Sequence, residues 1–269
     1  MATVLKKVMI TGANGFIGKN LQFHLAERKD VQVVCFTRDH AVDQLAQLLQ
    51  GVDFVFHLAG INRPQDPEEF VTGNANLTHA LCEAIDQVAV ATGQIVPVIF
   101  ASSTQAVRDN PYGQSKRAAE NALFSLQRRH GVPVHVFRLP NVFGQRCKPN
   151  YNSAVATFCH NIARGLPIQI NDPASPVTLV YVDDVIRHFL QLLDGADATI
   201  DEGGFSTVAP QYATTVGELA RLIQAFKDNH GSLMTERVDS GFLRALYNTY
   251  VSYLPAESFT QAVDKRDVR

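Results

Sequence analysis

Short apolar runs alternate with longer segments of helical periodicity over the first half of the chain. The runs, rich in β-branched residues and typical of buried strands, are Lys7–Ile10, Val31–Phe36, Asp53–Leu58, Val96–Ala101 and Val132–Arg138. The segments between them, predicted as helices, are Phe16–Arg28, Val42–Leu49, Glu68–Val90 and Tyr112–Arg129. This alternation predicts an α/β fold: a Rossmann-like, doubly wound parallel sheet with helices on both faces.

The pattern changes after Gly144, where longer polar segments separate the apolar ones. Helices are predicted at Ala154–Arg164, Asp184–Leu193 and Val216–Lys227, and Thr215 with Glu218 forms a capping box for the last of them. We therefore predict a Rossmann domain over residues 1–170 and a smaller C-terminal lobe over 171–269, interleaved with the first.

Composition excludes several classes of protein. The 269 residues are 46% hydrophobic and 19% charged with a net charge of −2, an ordinary globular balance that favours neither nucleic acid nor a membrane as partner. The four cysteines form no CxxC pair, and the nine histidines lack metal-ligand spacing, so no metal is predicted. The N-terminus lacks the apolar region of a secretory signal, which predicts a cytoplasmic location.

A glycine-rich segment follows the first predicted strand and opens the first predicted helix. Gly12 permits a tight turn, Gly15 lets the backbone approach a pyrophosphate, and Gly18 allows close packing of helix on strand. The free N–H groups of the helix start suit phosphates. The predicted dinucleotide contacts here are Gly12, Asn14, Gly15, Phe16, Ile17 and Gly18. An ordinary glycine-rich turn is the alternative.

The second predicted strand ends in Thr37 and Arg38, where an NAD site would place an acidic residue for the ribose hydroxyls. A guanidinium suits a 2′-phosphate, so NADP(H) is the predicted cofactor. The alternatives are a solvated Arg38 and a ribose contact from Asp39.

The strongest chemical signal is Tyr112-Gly-Gln-Ser-Lys116 at the head of a predicted helix. Positions i and i+4 share one helix face, so the phenol and the ammonium can meet, and the cation would lower the pKa of the phenol. Upstream, the strand Val96–Ala101 leads into hydroxyl residues, of which Ser103 is the predicted partner of a substrate oxygen. Ser102 is predicted to be structural, and Thr104 is the alternative hydroxyl. We predict Ser103, Tyr112 and Lys116 as catalytic residues.

Together these motifs resemble the extended short-chain dehydrogenase/reductases, which are nucleotide-sugar epimerases, dehydratases and reductases. The resemblance runs from Val8 to about Asp184, and its further segments are His57-Leu-Ala-Gly60, Asn74, Arg138-Leu-Pro-Asn141-Val-Phe-Gly144 and Tyr181-Val-Asp-Asp184. It implies a substrate lobe beside the Rossmann sheet and catalysis by Ser103, Tyr112 and Lys116. It also implies cofactor contacts from Leu58, Ala59, Gly60, Tyr112, Lys116 and Leu139, and a sugar-nucleotide contact from Asn141.

Departures from the family pattern narrow the implied chemistry. Dehydratases place an Asp-Glu pair after the active-site hydroxyl, whereas Thr104-Gln105 stands here. A narrower resemblance is to reductases acting at C4 of UDP-linked 2-acetamido-2,6-dideoxy sugars in capsule and O-antigen synthesis. It rests on Asn110-Pro-Tyr-Gly-Gln-Ser-Lys116, Cys147-Lys-Pro-Asn-Tyr-Asn-Ser153, Ala156-Thr-Phe-Cys159, Asn171-Asp172 and Tyr250-Val-Ser-Tyr-Leu-Pro255.

The narrower resemblance implies NADPH-dependent reduction of a C4 ketone on a UDP-sugar. Substrate contacts are predicted from Asn62, Arg63, Ser103, Asn141 and Lys148, although Lys148 could equally be a solvated loop lysine. A homo-oligomer, dimer or tetramer, is implied. Relatives usually carry a further cupin domain, and the sequence ends at Arg269, about where that domain would begin; a reductase-only chain and a fragment both fit.

Two other functions stay open at this point. A nucleotide-sugar 4-epimerase would hold NAD tightly. A non-catalytic NADP(H)-sensing regulator would need the glycine turn but not Ser103, Tyr112 and Lys116 together.

Overall fold

The computed structural model describes residues 5–66, 68–232, 238 and 241–259. By internal contacts it divides into two units, one built from Met1–Pro140 and Val182–Gln211 and the other from Asn141–Tyr181 and Tyr212–Arg269. The predicted domains, residues 1–170 and an interleaved lobe over 171–269, differ from these units in two segments: residues 141–170 belong to the second unit and 182–211 to the first.

The first unit contains a five-stranded parallel sheet in the order β2-β1-β3-β4-β5. Its strands are β1 (Lys6–Thr11), β2 (Val31–Phe36), β3 (Phe54–His57), β4 (Val98–Ser103) and β5 (Val134–Leu139). Because β2 and β3 lie on opposite sides of β1, the chain reverses direction across the sheet between β1 and β3. Such a switch point is where ligands bind in open α/β sheets. The predicted fold class is confirmed.

The helices of the first unit pack against this sheet. They are α1 (Phe16–Ala26), α2 (Leu45–Leu48, after a 3₁₀ turn at Val42–Gln44), α3, α4 (Pro111–His130) and α6 (Val182–Leu193). The long helix α3 begins at Glu68–Phe70, passes through a π-helical segment at Val71–Asn76 and continues over Leu77–Thr92. A 3₁₀ turn, Thr104–Val107, joins β4 to α4.

The core of the first unit lies between the sheet and the helices. Met9, Val55, Phe100 and Val136, one from each of four strands, are at most 1% exposed and belong to a single cluster with residues of α3 and α4. Near the β5 edge, Ser206 N–H donates to the Val136 carbonyl at 2.9 Å, so the segment after α6 extends the hydrogen-bonded sheet.

The second unit has a three-stranded sheet in the order β6-β7-β8, where β6 is Asn141–Phe143, β7 is Pro176–Tyr181 and β8 is Tyr212–Thr215. Its helices are α5 (Ala154–Ala163), α7 (Val216–Ser232) and α8 (Gly241–Val251). One half of the predicted capping box of α7 is present, since Glu218 N–H donates to Thr215 Oγ1 at 3.2 Å, whereas the Glu218 carboxylate accepts from Arg221. In the described part of the chain, no helix combines the length and apolarity needed to cross a bilayer.

Candidate active site

The glycine turn between β1 and α1 has the geometry of a phosphate-binding loop. Gly12 has φ +71°, and a Cβ there would lie 2.5 Å from the Ala59 nitrogen, so only glycine fits. Gly15 N–H donates to the Gly12 carbonyl at 2.9 Å and closes the turn. Gly15 is also the N-cap of α1 and has no side chain to cap the first turn. The free N–H groups of that turn therefore suit the pyrophosphate of a dinucleotide.

The other predicted residues of this turn line the same start of α1. Asn14 and Gly15 are exposed, Phe16 and Ile17 are half-buried, and Gly18 is buried. At the end of the neighbouring strand β2, Arg38 is exposed, and Thr37 Oγ1 donates to the Asp39 carboxylate at 3.0 Å. These residues fit the adenosine half of a dinucleotide.

The end of β3 is held to β1 and α3 by a buried imidazole. His57 Nδ1 lies 2.7 Å from Thr11 Oγ1, and Nε2 lies 2.8 Å from Thr78 Oγ1. Because Thr78 donates its own proton to the Asn74 carbonyl at 2.7 Å, Nε2 must carry the hydrogen and Nδ1 must accept from Thr11. Burial, helped by the charge of Lys116, lowers the pKa of His57 to about 3. His57 is thus a neutral structural residue.

Asn74 fixes the loop after β3 against the helix that carries Tyr112. Its Oδ1 accepts from Ile61 N–H at 2.8 Å, and its Nδ2 donates to the Ile61 carbonyl at 3.0 Å and to Ser115 Oγ at 3.0 Å. Ser115 in turn donates to the Tyr112 carbonyl at 2.8 Å. Asn74 is buried and lies in the π-helical segment of α3, whose wider turn is a common feature of functional sites.

The predicted cofactor contacts in this loop lie between His57 and Ile61, both of which are held by the hydrogen bonds described above. They are Leu58, Ala59 and Gly60. Leu58 and Ala59 are half-buried and Gly60 is exposed. Asn62 and Arg63, the predicted substrate contacts, are exposed farther along the same loop.

Ser103 and Tyr112 come together at the carboxyl end of β4. Ser103 is the last residue of β4, and Tyr112 is the second residue of α4. Burial raises the pKa of the Tyr112 phenol, and a hydrogen bond with the Ser103 side chain lowers it in part. The phenol is half-buried and packs on the Phe70 ring, whose centroid is 5.5 Å away. It is therefore protonated at neutral pH and able to donate a proton.

Lys116 lies one helical turn after Tyr112 and is only 5% exposed. Its Nζ donates to the Ala101 carbonyl at 2.8 Å and lies 4.6 Å from the centre of the Phe100 ring. Burial lowers the pKa of Lys116 to about 8, and the Glu120 carboxylate opposes that shift. The expected lowering of the Tyr112 pKa is wrong for this structure, because the ammonium is directed to the β4 backbone and burial dominates at the phenol.

A cavity of about 280 Å³ opens in the first unit next to the ends of β4 and β5. Thr104 borders it from the turn after β4, and Leu139 and Pro140 border it from the end of β5. Ser103 and Leu139 are paired in the sheet, so the cavity adjoins the hydroxyl end of β4. Two predicted residues therefore line this cavity: Leu139, a predicted cofactor contact, and Thr104, the alternative to Ser103 as the active-site hydroxyl.

Two predicted substrate residues belong to the second unit. Asn141 begins β6, is exposed, and its Nδ2 donates to the Thr178 carbonyl at 3.3 Å. The Lys148 ammonium lies 5.3 Å from the centre of the Tyr151 ring. The loop between β6 and α5 is fixed by Tyr253, whose hydroxyl donates to the Cys147 carbonyl at 2.5 Å.

Sequence reasoning missed several residues that shape this site. Gly113 lets α4 begin against the preceding turn, since a Cβ there would lie 2.4 Å from the Arg108 carbonyl oxygen. Asn110 caps α4 by accepting from Gly113 N–H at 2.8 Å. Both stand in the Asn-Pro-Tyr-Gly segment, where an N-cap residue before proline is a recognisable helix start. Asn74 belongs to the segments of the family resemblance, but the contacts of its inward-facing amide have no such local signal.

Comparison with known proteins identifies the class. The model of the NAD dependent epimerase/dehydratase family matches residues 8–203, and the chain belongs to that family. The resemblance to extended short-chain dehydrogenase/reductases is thereby confirmed. The described residues contain no group of three or more histidine, cysteine, aspartate or glutamate side chains that could hold a metal ion.

Particular relatives narrow the comparison. The chain is 53% identical over 257 residues to a UDP-2-acetamido-2,6-beta-L-arabino-hexul-4-ose reductase of Pseudomonas aeruginosa, covering 96% of this chain and 67% of the relative. The crystal structure of the capsular polysaccharide assembling protein CapF from Staphylococcus aureus is 37% identical with a TM-score of 0.82, covering 96% of this chain and 69% of that one. The crystal structure of UDP-glucuronic acid 4-epimerase from Bacillus cereus in complex with NAD is 18% identical to this chain with a TM-score of 0.74. The match covers 92% of this chain and 98% of that one. At that identity it supports the fold alone.

Proposed function

We propose that the protein reduces the C4 ketone of a UDP-linked 2-acetamido-2,6-dideoxy sugar with NADPH, in the synthesis of a bacterial surface polysaccharide. The observation that carries the proposal is the meeting of Ser103 and Tyr112 at the end of β4, with Lys116 one turn further on. The Pseudomonas aeruginosa relative, a 4-keto-sugar reductase by name, supports the substrate class. The regulator hypothesis leaves this trio without a role.

The residues have distinct parts in the proposed reaction. When bound, NADPH supplies a hydride to the ketone carbon. The Tyr112 phenol donates its proton to the ketone oxygen, and Ser103 donates a hydrogen bond to the same oxygen as negative charge develops there. Lys116, whose pKa of about 8 leaves it charged at neutral pH, would hold the nicotinamide ribose. A proton from solvent then restores the phenol.

Cofactor binding is assigned to residues of the first unit. The turn Gly12–Gly18 would hold the pyrophosphate, and Leu58, Ala59, Gly60, Leu139 and Lys116 would border the nicotinamide half. Arg38, exposed at the end of β2, would bind the 2′-phosphate of NADP(H). The Arg38→Ala variant should lose most of its preference for NADPH over NADH, measured as the ratio of kcat/KM values. An unchanged ratio would remove Arg38 from the proposal.

The remaining parts of the proposal concern substrate and setting. We assign the binding of the sugar nucleotide to Asn62, Arg63, Asn141 and Lys148. We also propose that the protein is cytoplasmic and forms a dimer or tetramer. Lys148→Ala should raise the KM for the UDP-sugar and leave that for NADPH unchanged. Equal KM values in both proteins would make Lys148 a solvated loop residue.

The direct test is NADPH oxidation, followed by absorbance, with a UDP-linked 2-acetamido-2,6-dideoxy-4-keto sugar. We expect one NADPH consumed for each C4 alcohol formed, detected by mass spectrometry of the sugar nucleotide. Purified protein that contains tightly bound NAD and interconverts C4 epimers without net NADPH consumption would instead identify a 4-epimerase.

A further inference from the structure

A buried carboxylate lies behind the candidate active site. Glu120 is 1% exposed and accepts three hydrogen bonds: from Ser102 Oγ at 2.5 Å, from Arg138 Nε at 3.0 Å and from Arg138 Nη2 at 2.6 Å. The Arg138 guanidinium in turn lies 3.6 Å from the centre of the Phe205 ring. A carboxylate so buried persists only when it is paired and hydrogen bonded in this way.

Each member of this network adjoins a residue of the site. Ser102 precedes Ser103 at the end of β4, and Arg138 precedes Leu139 at the end of β5. Glu120 is one helical turn after Lys116 on α4, so the two side chains share a helix face. One carboxylate thus ties together the two strand ends and the helix that form the site.

We propose that Glu120 is a positioning residue: its carboxylate holds the ends of β4 and β5 against α4 and places a negative charge on the helix face that carries Lys116. This inference rests on the proposed function, in which Ser103, Tyr112 and Lys116 are the catalytic residues. Ser102, which is predicted to be structural, acts in this network as the link to Ser103.

 

The network also has an electrostatic consequence for Lys116. The charged and titratable groups around its ammonium are His57 on β3, Tyr112 and Glu120 on α4, and Arg138 on β5, beyond Glu120. His57 is neutral, and the Tyr112 phenol is protonated at neutral pH. Glu120 is therefore the anion that stabilises the Lys116 charge against burial, which lowers the pKa of Lys116 to about 8.

The test replaces the carboxylate with an amide of the same shape, Glu120→Gln. The titration of Lys116 is followed by NMR of the lysine Cε carbons in ¹³C-lysine-labelled protein, with the signal assigned through Lys116→Arg. We expect a lower titration midpoint for Lys116 than in the wild-type protein and a loss of about tenfold in kcat/KM for the 4-keto sugar. Glu120→Asp, which keeps the charge, should return the midpoint toward the wild-type value.

Two further variants separate positioning from folding. Glu120→Gln/Arg138→Met leaves no unpaired buried charge, so it should fold even where the single variant does not, and its Lys116 midpoint should also be lowered. Ser102→Ala removes one hydrogen bond and keeps both charges, so it should reduce kcat without moving the midpoint.

An unchanged Lys116 midpoint in both charge-removing variants overturns the proposal, even if their activity falls. The NMR titration requires no turnover. A wild-type protein without reductase activity would therefore contradict the proposed function while the placement of Glu120 could still be judged.

Discussion

At the residue scale, Gly12 is the position where a single methyl group should be most damaging. Gly12→Ala combines a left-handed backbone, which costs about 1–2 kcal/mol, with a contact of 2.5 Å to the Ala59 nitrogen. Gly51→Ala is the matched control, because Gly51 has φ +67° and open space around its missing side chain. We expect Gly51→Ala to lower the free energy of unfolding by about 1 kcal/mol and Gly12→Ala by at least about twice that.

NADPH titration by fluorescence distinguishes the two variants further. Gly12→Ala should bind NADPH far more weakly than the wild-type protein, and Gly51→Ala should bind it normally. Equal stability and equal NADPH affinity in the two variants would show that the turn tolerates a side chain.

His57 should make the stability of the protein depend on pH in the acid range. Burial lowers its pKa from 6.5 to about 3, so between these values the unfolded chain binds a proton that the native protein does not. The free energy of unfolding therefore falls as pH falls through this window, by up to about 1.4 kcal/mol per pH unit from this residue. Urea unfolding between pH 4 and 6 should show that the free energy of unfolding falls less steeply with pH in His57→Gln than in the wild-type protein. Equal slopes in the two proteins would mean that native His57 takes up the proton.

The positions of several candidate site residues in the fold could be predicted from the sequence, but their charge states could not. The spacing of Tyr112 and Lys116 indicates a shared helix face, and the hydroxyl residues after the fourth run indicate Ser103. The Lys116 ammonium, however, is directed by burial and by the Ala101 carbonyl, which come from tertiary packing. The local sequence therefore suggested a Tyr112 pKa shift of the wrong sign.

At the scale of elements, the start of α4 sets the position of Tyr112. Gly113→Ala would place a Cβ 2.4 Å from the Arg108 carbonyl oxygen and 2.5 Å from that of Gln105, so the first turn of α4 must move away from the segment that precedes it. We expect a lower melting temperature and a larger loss in kcat than in NADPH affinity. Asn121→Ala, an exposed position on the same helix, is the control and should change neither. Normal turnover by Gly113→Ala would contradict this expectation. It would show that α4 can move away from the preceding turn without changing the position of the Tyr112 phenol.

Long periodic elements were predictable, and short or irregular ones were not. The strands and helices of the five-stranded sheet lie within a few residues of their predicted bounds, because buried β-branched runs and amphipathic helices leave strong patterns. The predicted single helix Glu68–Val90 contains instead a π-helical segment, in which the inward amide of Asn74 bonds to Ile61. The strands β6 and β8 have three and four residues, too few for a periodic signal.

At the scale of the whole molecule, the pattern of alternating elements predicted the parallel sheet but not the path of the chain between the two units. The three residues of β6 pair with β7 in the second sheet, while Ser206 returns to the edge of the first. Both pairings join residues distant in sequence, which periodicity does not encode. The predicted boundary after residue 170 therefore differs from the observed division.

The central claim is that Tyr112 donates the proton during reduction of a bound ketone, and Tyr112→Phe tests it most directly. Kinetics with NADPH and the 4-keto UDP-sugar should show kcat/KM lowered by about a hundredfold or more, because the general acid is lost. Fluorescence titration should show NADPH affinity near that of the wild type. A Tyr112→Phe protein that turns over the ketone at nearly the wild-type rate would contradict the account.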